Sequence, residues 1–421
     1  MMMDIAGHLS LRKVRDALIA VMTDHPATTG TLRISLFRGR PYWHTTQHAT
    51  EIDRAAARSH EYYDLRSSPN ADTELERLCH EQFIPHWNFS LGPPIRLEHY
   101  ALPGDRTRMC LRWPHAFMDA EGAQWLLSEI GAHGAAVKSM SLPPDHLSID
   151  PLAGMGVFQR IRLMRSAPQK PVRLSGQSGV LLATPPKTRV RQYGFLHRVW
   201  TPDDNARLTD LARRRTPPGP GIHARYLAAS LIRALDRLYA MNKISTDVYR
   251  VPIPVRAADA NAGVQRPLPG NYLAAPAVSI PRTCVADWAL LGETIAAQLE
   301  RYVKSRANLA DWAKLWLAAQ LRPWQFERAL DLPLGLPDFS TGFSYYGEIE
   351  PPLRKFLGCD VLNLWGCAPM AIPPGLNPAF SRFSDRLNFS LAWAEPHINP
   401  AWATMLSDFI EQEALDRPRT N

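Results

Sequence analysis

His115 is the residue of this chain best placed to do chemistry. It lies in Arg108-Met-Cys-Leu-Arg-Trp-Pro-His115-Ala-Phe-Met-Asp119-Ala-Glu-Gly122, where an apolar run that predicts a buried strand leads straight into a helical segment. A histidine at such a junction projects from the end of a sheet, and its neutral imidazole takes a proton near pH 7, which suits it to act as a general base. Asp119 follows four residues on, but that spacing is weak evidence by itself, because His60 to Asp64 and His146 to Asp150 repeat it. Those two lie in a polar run and a proline-flanked run, with no strand before and no helix after, so context selects His115. The bland alternative is a core histidine whose ring is satisfied by a backbone carbonyl.

Other catalytic schemes lack their residues. The sequence has no Gly-x-Ser-x-Gly elbow, no phosphate-binding Walker loop and no Gly-x-Gly-x-x-Gly turn. His44 with His48 and His80 with His86 need a converging carboxylate to hold a metal, and they sit in ordinary polar stretches; no metal is expected. Cys359 and Cys367 fit a strand pattern and lack the second pair that a zinc site requires.

The elements that must position His115 alternate along the first part of the chain. Periodicity predicts a helix from Leu9 to Thr23, a strand from Leu32 to Phe37, a helix from Thr73 to Phe83, strands at Ile95–Leu102 and Arg108–Pro114, and a helix at Gly122–Ala132. The opening Met1 to Arg15 lacks the apolar core and cleavage site of a secretory signal and is expected to be amphipathic helix. Phe158 to Arg165 is a basic amphipathic turn that would suit a membrane surface. Proline, glycine and serine gather between 166 and 190 and predict a linker. Beyond it come a strand at Tyr193–Trp200, helices beginning at Asp203 and His223, strands at Asp247–Val255 and Leu273–Ile280, a helix from Asp287 to Arg306, and strands near Phe339, Asp360 and Leu387. An α/β (α+β) chain of two lobes follows, 1–170 and 191–421, joined by 171–190.

At 421 residues, 45% hydrophobic and 21% charged, the composition is that of a globular protein too long for one ordinary core. No apolar run reaches the ~18 residues of a membrane span, so a cytoplasmic location and a monomer are expected. Five irregularly spaced cysteines predict reduced thiols, not a disulfide framework. The net charge of +8 favours anionic partners, although no nucleic-acid motif with interleaved aromatics accompanies it.

A resemblance sharpens the site. From Asn88-Phe-Ser-Leu-Gly-Pro-Pro-Ile-Arg96 through His115 to Gly122, the order of residues is similar to the approach to the active site in the chloramphenicol acetyltransferase-like superfamily, which includes nonribosomal peptide condensation domains, wax ester synthases and polyketide-associated acyltransferases. Its signature is His-x-x-x-Asp-Gly, often with an extra preceding His; here Pro114 replaces that His, and Ala120 replaces the Gly, with Gly122 two positions later. Val251-Pro-Ile-Pro-Val-Arg256 followed by Gly270-Asn271, and later Phe343-Ser-Tyr-Tyr-Gly347, resemble further family segments in the right order.

The resemblance implies two acetyltransferase-like lobes with mixed sheets and a tunnel between them. It implies His115 as general base for direct transfer of an acyl group from coenzyme A or a carrier protein to an alcohol or amine. The donor thioester is then a substrate, and no permanently bound cofactor is expected. Asp119 would pair with Arg256 and hold the turn; Trp113, Ala120, Gly122 and Asn271 would line or shape the channel, and Ser344, Tyr345 or Tyr346 would face the oxyanion. The length fits a free-standing enzyme of specialised-metabolite or lipid biosynthesis. The alternative is a silent member that binds a carrier protein or acyl chain as a scaffold.

Overall fold

A six-stranded sheet carries the His115 segment near its middle. The structure, a computed structural model, describes residues 1–35, 39, 41–84, 87–134, 152, 154–166, 183, 190–256, 271, 273–318, 320–322, 325, 339–349, 351–368 and 370–418, the side chains of Ser166, Arg256, Pro351 and Pro352 excepted. In chain order the first half forms β1 (Met2–Ala6), α1 (Leu11–Asp24), β2 (Thr31–Ile34), β3 (Pro41–His44), α2 (Ala49–Ser59), β4 (His60–Asp64), α3 (Ala71–Glu81), β5 (Arg96–Leu102), β6 (Arg106–Arg112), α4 (Ala120–Ala132) and α5 (Val157–Ser166). The second half forms β7 (Gln192–Trp200), α6 (Pro202–Arg215), α7 (Ile222–Met241), β8 (Val248–Pro252), β9 (Val255–Arg256), β10 (Leu273–Ala274), β11 (Ala277–Pro281), α8 (Trp288–Lys304), α9 (Ala307–Ala318), β12 (Ser344–Glu348), β13 (Lys355–Phe356), β14 (Cys359–Trp365), β15 (Leu376–Phe383), β16 (Arg386–Glu395) and α10 (Pro400–Leu415). No helix among the described residues is long and apolar enough to cross a membrane.

The first sheet runs β13-β14-β1-β6-β5-β4, antiparallel throughout except for the parallel pair β4 and β5. Its core gathers Val14, Leu18 and Met22 of α1 and Leu126 and Ile130 of α4 against Met3, Ile5, Met109 and Leu111. The second sheet runs β12-β15-β16-β7 and packs on α7 and α10. Helix α7 is buried on most of its circumference, which explains why its sequence is apolar beyond a single stripe. Caps fix the helix starts: Thr201 and Asp204 form a capping box on α6, and Asp287 caps α8.

Several expectations are corrected. The chain opens as a strand, not a helix: Met2, Met3 and Ile5 lie between β14 and β6, and Asp4 meets Arg108 at 2.6 Å across the sheet. Met3 and Ile5 pack into one core and Met2 into another, so both faces of the strand are buried and its apolar residues do not alternate. The strand expected over Leu32–Phe37 is β2, Thr31–Ile34, which pairs antiparallel with β3; Leu36 and Phe37 lie outside the described residues. His60 to Asp64 is the edge strand β4, and the strand expected near Phe339 is β12, beginning at Ser344. His146 to Asp150 and almost all of 171–190 lie outside the described residues.

Strands β13 and β14 cross back from the second half of the chain to complete the first sheet. The crossing is fastened to the second lobe by reciprocal amide hydrogen bonds between Asn363 and Asn388, at 2.9 and 3.0 Å, and by the His197 ring stacked on Trp365 at 3.7 Å. The sheet of the first lobe therefore includes residues 355–365 as well as strands from the first hundred or so residues.

Candidate active site

The turn that carries His115 is built from hydrogen bonds on both sides of the ring. After β6 ends at Arg112, Trp113 Nε1 donates to the Met118 carbonyl at 2.8 Å, and the Phe117 amide donates to Pro114 O at 2.8 Å. Phe117 and Met118 are buried and pin the turn to the core, whereas His115 is exposed. Asp119, only 1% exposed, caps α4: its Oδ1 accepts from the Gly122 amide at 2.9 Å. A carboxylate at a helix N-terminus is favoured by the free amides and the dipole there. Asp119 thus ties the turn to the start of α4, with the Gly122 amide as the donor. Arg256 ends β9, and its side chain lies outside the described residues.

Asn271 reaches His115 from the other lobe. Its Nδ2 donates to the His115 carbonyl at 2.8 Å and lies 3.0 Å from His115 Nδ1, and its Oδ1 accepts from the Leu273 amide at 3.3 Å.

Beside His115 opens a cavity of about 280 Å³. The first half of the chain contributes Trp113, Pro114, His115 and Ala120, and the second half Pro254, Leu273 and Ser344 to Tyr346. His115, Trp113, Ala120, Ser344, Tyr345 and Tyr346 all line this cavity, and Asn271 meets them through the His115 ring. Ala120, the first residue of α4, is half-buried and forms wall. Burial raises the tendency of the Tyr345 and Tyr346 hydroxyls to stay protonated, so both remain donors at neutral pH. Gly366 makes room for one of them: a Cβ there would lie 2.2 Å from Tyr346 Cε2.

The cavity also has a charged wall that spacing does not reveal. Arg112 donates through Nε and Nη2 to the Glu98 carboxylate at 2.6 and 2.8 Å, and Tyr100 Oη donates to the same carboxylate at 2.8 Å. Glu98 is 0% and Arg112 8% exposed, so this is a buried, bidentate pair. Burial opposes the charge on Arg112, but the bonds to Glu98 outweigh it and hold the guanidinium ionised. In sequence, Glu98 and Arg112 are fourteen apart; the β5-β6 register makes them diagonal neighbours.

Two thiols, Cys110 and Cys367, also line the cavity. The Cys79 contact and burial push Cys110 up, and burial pushes Cys367 up to about 12, so neither offers a thiolate near neutral pH. All five cysteines are free, Cys79 and Cys110 being fully buried.

No family model and no curated protein sequence matches this chain. Solved structures do. The first condensation domain of the CDA synthetase superposes with a TM-score of 0.68 over 100% of this chain and 91% of its own, at 15% identity. The fold is that of the condensation domains. The epimerization domain from the third module of tyrocidine synthetase B shares the condensation fold at a TM-score of 0.66 and 13% identity, covering 99% of this chain and 90% of its own. So does the TRI3 trichothecene 15-O-acetyltransferase of Fusarium sporotrichioides, at 0.65 and 11%, over 98% of this chain and 90% of its own. At these identities the likeness is one of fold. It accords with the two-lobed α/β class and the chloramphenicol acetyltransferase-like resemblance read from the sequence.

Proposed function

We propose that this protein is an acyltransferase that moves an acyl group from a thioester of coenzyme A or of a carrier protein to a small alcohol or amine. The observation that carries this reading is an exposed imidazole beside a largely apolar cavity walled by both halves of a condensation fold. His115 takes the proton of the attacking hydroxyl or amine, a step worth about 10²–10⁴ in rate. The resulting oxyanion faces donors drawn from Ser344, Tyr345 and Tyr346, and collapses by expelling a thiolate, a leaving group that needs little acid help at a thiol pKa of about 8.5. Asp119, with Arg256 as its partner, holds the turn and thus the base. The raised thiols of Cys110 and Cys367 support direct transfer without an acyl-cysteine. The net charge of +8 suits the phosphates of coenzyme A or an acidic carrier protein.

A scaffold that holds an acyl chain or carrier protein without turnover is the second reading, and one observation favours it: Asn271 stands on a ring nitrogen of the base. The two are separated by thiol release and intact mass for wild type and His115→Ala, across acyl-coenzyme A and acyl-carrier thioesters with mixed acceptors. Acceptor-dependent thiol release that falls at least a hundredfold in the variant, with no acylated protein, supports the enzyme. Equal activity in the variant removes His115 as base; absence of turnover with every donor favours the scaffold.

A further inference from the structure

A neutral imidazole has one ring nitrogen that carries a proton and one that carries a lone pair, and its neighbours decide which is which. Three contacts fix the Asn271 amide. Its Oδ1 accepts from the Leu273 N–H at 3.3 Å, and its Nδ2 donates to the His115 carbonyl at 2.8 Å. A reversed amide would set two acceptors against each other at the carbonyl and two donors at Leu273, so the orientation is over-determined. The same Nδ2 lies 3.0 Å from His115 Nδ1. An amide N–H aimed at Nδ1 requires the lone pair to be there and therefore places the proton on Nε2.

We infer that Asn271 is a positioning residue that holds His115 in its non-basic tautomer, and that occupation of the cavity releases it. The inference rests on His115 being the base. With Asn271 in place the single lone pair of the ring is covered, so an acceptor hydroxyl has nowhere to send its proton. For Nε2 to take the acceptor's proton it must carry the lone pair while Nδ1 carries the ring proton, and the Nδ2 of Asn271 must leave Nδ1 for that exchange. Proton count is unchanged: one proton moves from Nε2 to Nδ1 through solvent, and the acceptor then delivers its own to Nε2. The link to the cavity is Leu273. Its amide steadies Asn271 Oδ1, and Leu273 is itself a wall of the cavity beside His115. A ligand that presses on Leu273 bears directly on the contact that orients the latch. Base strength would then appear only when substrate is bound, which limits wasteful hydrolysis of the thioester.

The test reads the tautomer and not turnover. In the full chain labelled with ¹⁵N-histidine, the two ring nitrogens of His115 are assigned by difference from His115→Gln and followed at pH 8, where an ordinary imidazole is neutral. Wild type without ligand is expected to show the proton on Nε2. Asn271→Asp, whose carboxylate has no N–H to give, is expected to move it to Nδ1, so that the two ¹⁵N shifts exchange places; Asn271→Ala is expected to give an averaged pair. Adding an acyl-pantetheine amide, a thioester mimic that cannot transfer, is expected to shift wild type toward the Asp pattern. A wild-type ring already protonated on Nδ1, or the same ring spectrum in wild type and Asn271→Asp, overturns the inference. Failure of every thioester to react, with the tautomer pattern as expected, counts against the acyltransferase reading and leaves the latch standing.

Discussion

The charged wall of the cavity makes a quantitative prediction. Arg112→Met leaves the Glu98 carboxylate at 0% exposure with only the Tyr100 hydroxyl to satisfy it, having removed two charge-assisted hydrogen bonds of 2.6 and 2.8 Å. Breaking such a pair costs about 3–5 kcal/mol, because the surviving charge stays buried without its partner. Two hydrogen bonds to a charged group at about 1.5–3 kcal/mol each give an overlapping range of about 3–6 kcal/mol. Glu98→Met is expected to cost a similar amount through the stranded guanidinium. The double variant Arg112→Met/Glu98→Met removes both charges and fills the space with apolar volume, so it is expected to fall within about 1–2 kcal/mol of wild type. The coupling energy of the cycle is then about 4 kcal/mol or more. Urea unfolding followed by tryptophan fluorescence and far-ultraviolet circular dichroism reads this out, each single variant losing about 1–2 M in midpoint at slopes of about 2–3 kcal/mol/M. If Arg112→Met unfolds at the wild-type midpoint, or if the losses of the two single variants simply add in the double, the pair is not the buried unit described above.

Three further outcomes are expected. Gly366→Ala drives a methyl into the Tyr346 ring, where a Cβ would lie at 2.2 Å, so it should cost about 1–3 kcal/mol and lower acyl transfer; wild-type stability and kinetics would show that the ring is not held as described. Burial pushes His99 and His197 down to about 4 from 6.5, with His60 adding to the effect on His99. The unfolded chain therefore binds more protons between those values, and stability present above pH 6.5 is lost as pH falls toward 4. Thermal midpoints measured from pH 7 to 4.5 should fall, and the fall should be shallower in His99→Leu; an unchanged slope refutes the assignment to His99. Finally, iodoacetamide at pH 7 should leave activity intact, and intact mass after incubation with an acyl thioester should show no adduct on Cys110 or Cys367, since neither is a thiolate there.

The sequence carried the His115 turn legibly because its determinants are local: an apolar strand, a proline, and an aspartate that caps the next helix through the Gly122 amide. The helix starts near Asp203 and at Asp287 were legible for the same reason, as capping is a matter of neighbouring residues. What escaped was set by partners distant in the chain. β1 looked helical because Met2, Met3 and Ile5 declare apolarity without a period, and only flanking by β6 and β14 makes them a strand. Arg112 and Glu98 lie fourteen apart in sequence, and only the β5-β6 register brings them together. His115 and Asn271 were both singled out, yet the bond between them spans 156 positions, and no spacing rule reaches so far. Gly366 carried no signal, since its role is defined by the ring that packs against it.

The return of β14 to the first sheet bears on how the protein comes into being. Met2 pairs with Trp365, so β1 and β14 are brought together across more than 360 positions. During synthesis the β6 side of β1 is expected to close first, leaving its other edge open while more than two hundred further residues are made. An unpaired apolar strand edge is a template for pairing with other chains, and closing so long a loop is slow. The two lobes are therefore not independent folding units in sequence order. A nascent chain stopped before residue 365 is expected to hold a half-built sheet, protease-sensitive and prone to associate, and synthesis through β14 to α10 is expected to lock both lobes together in one late step.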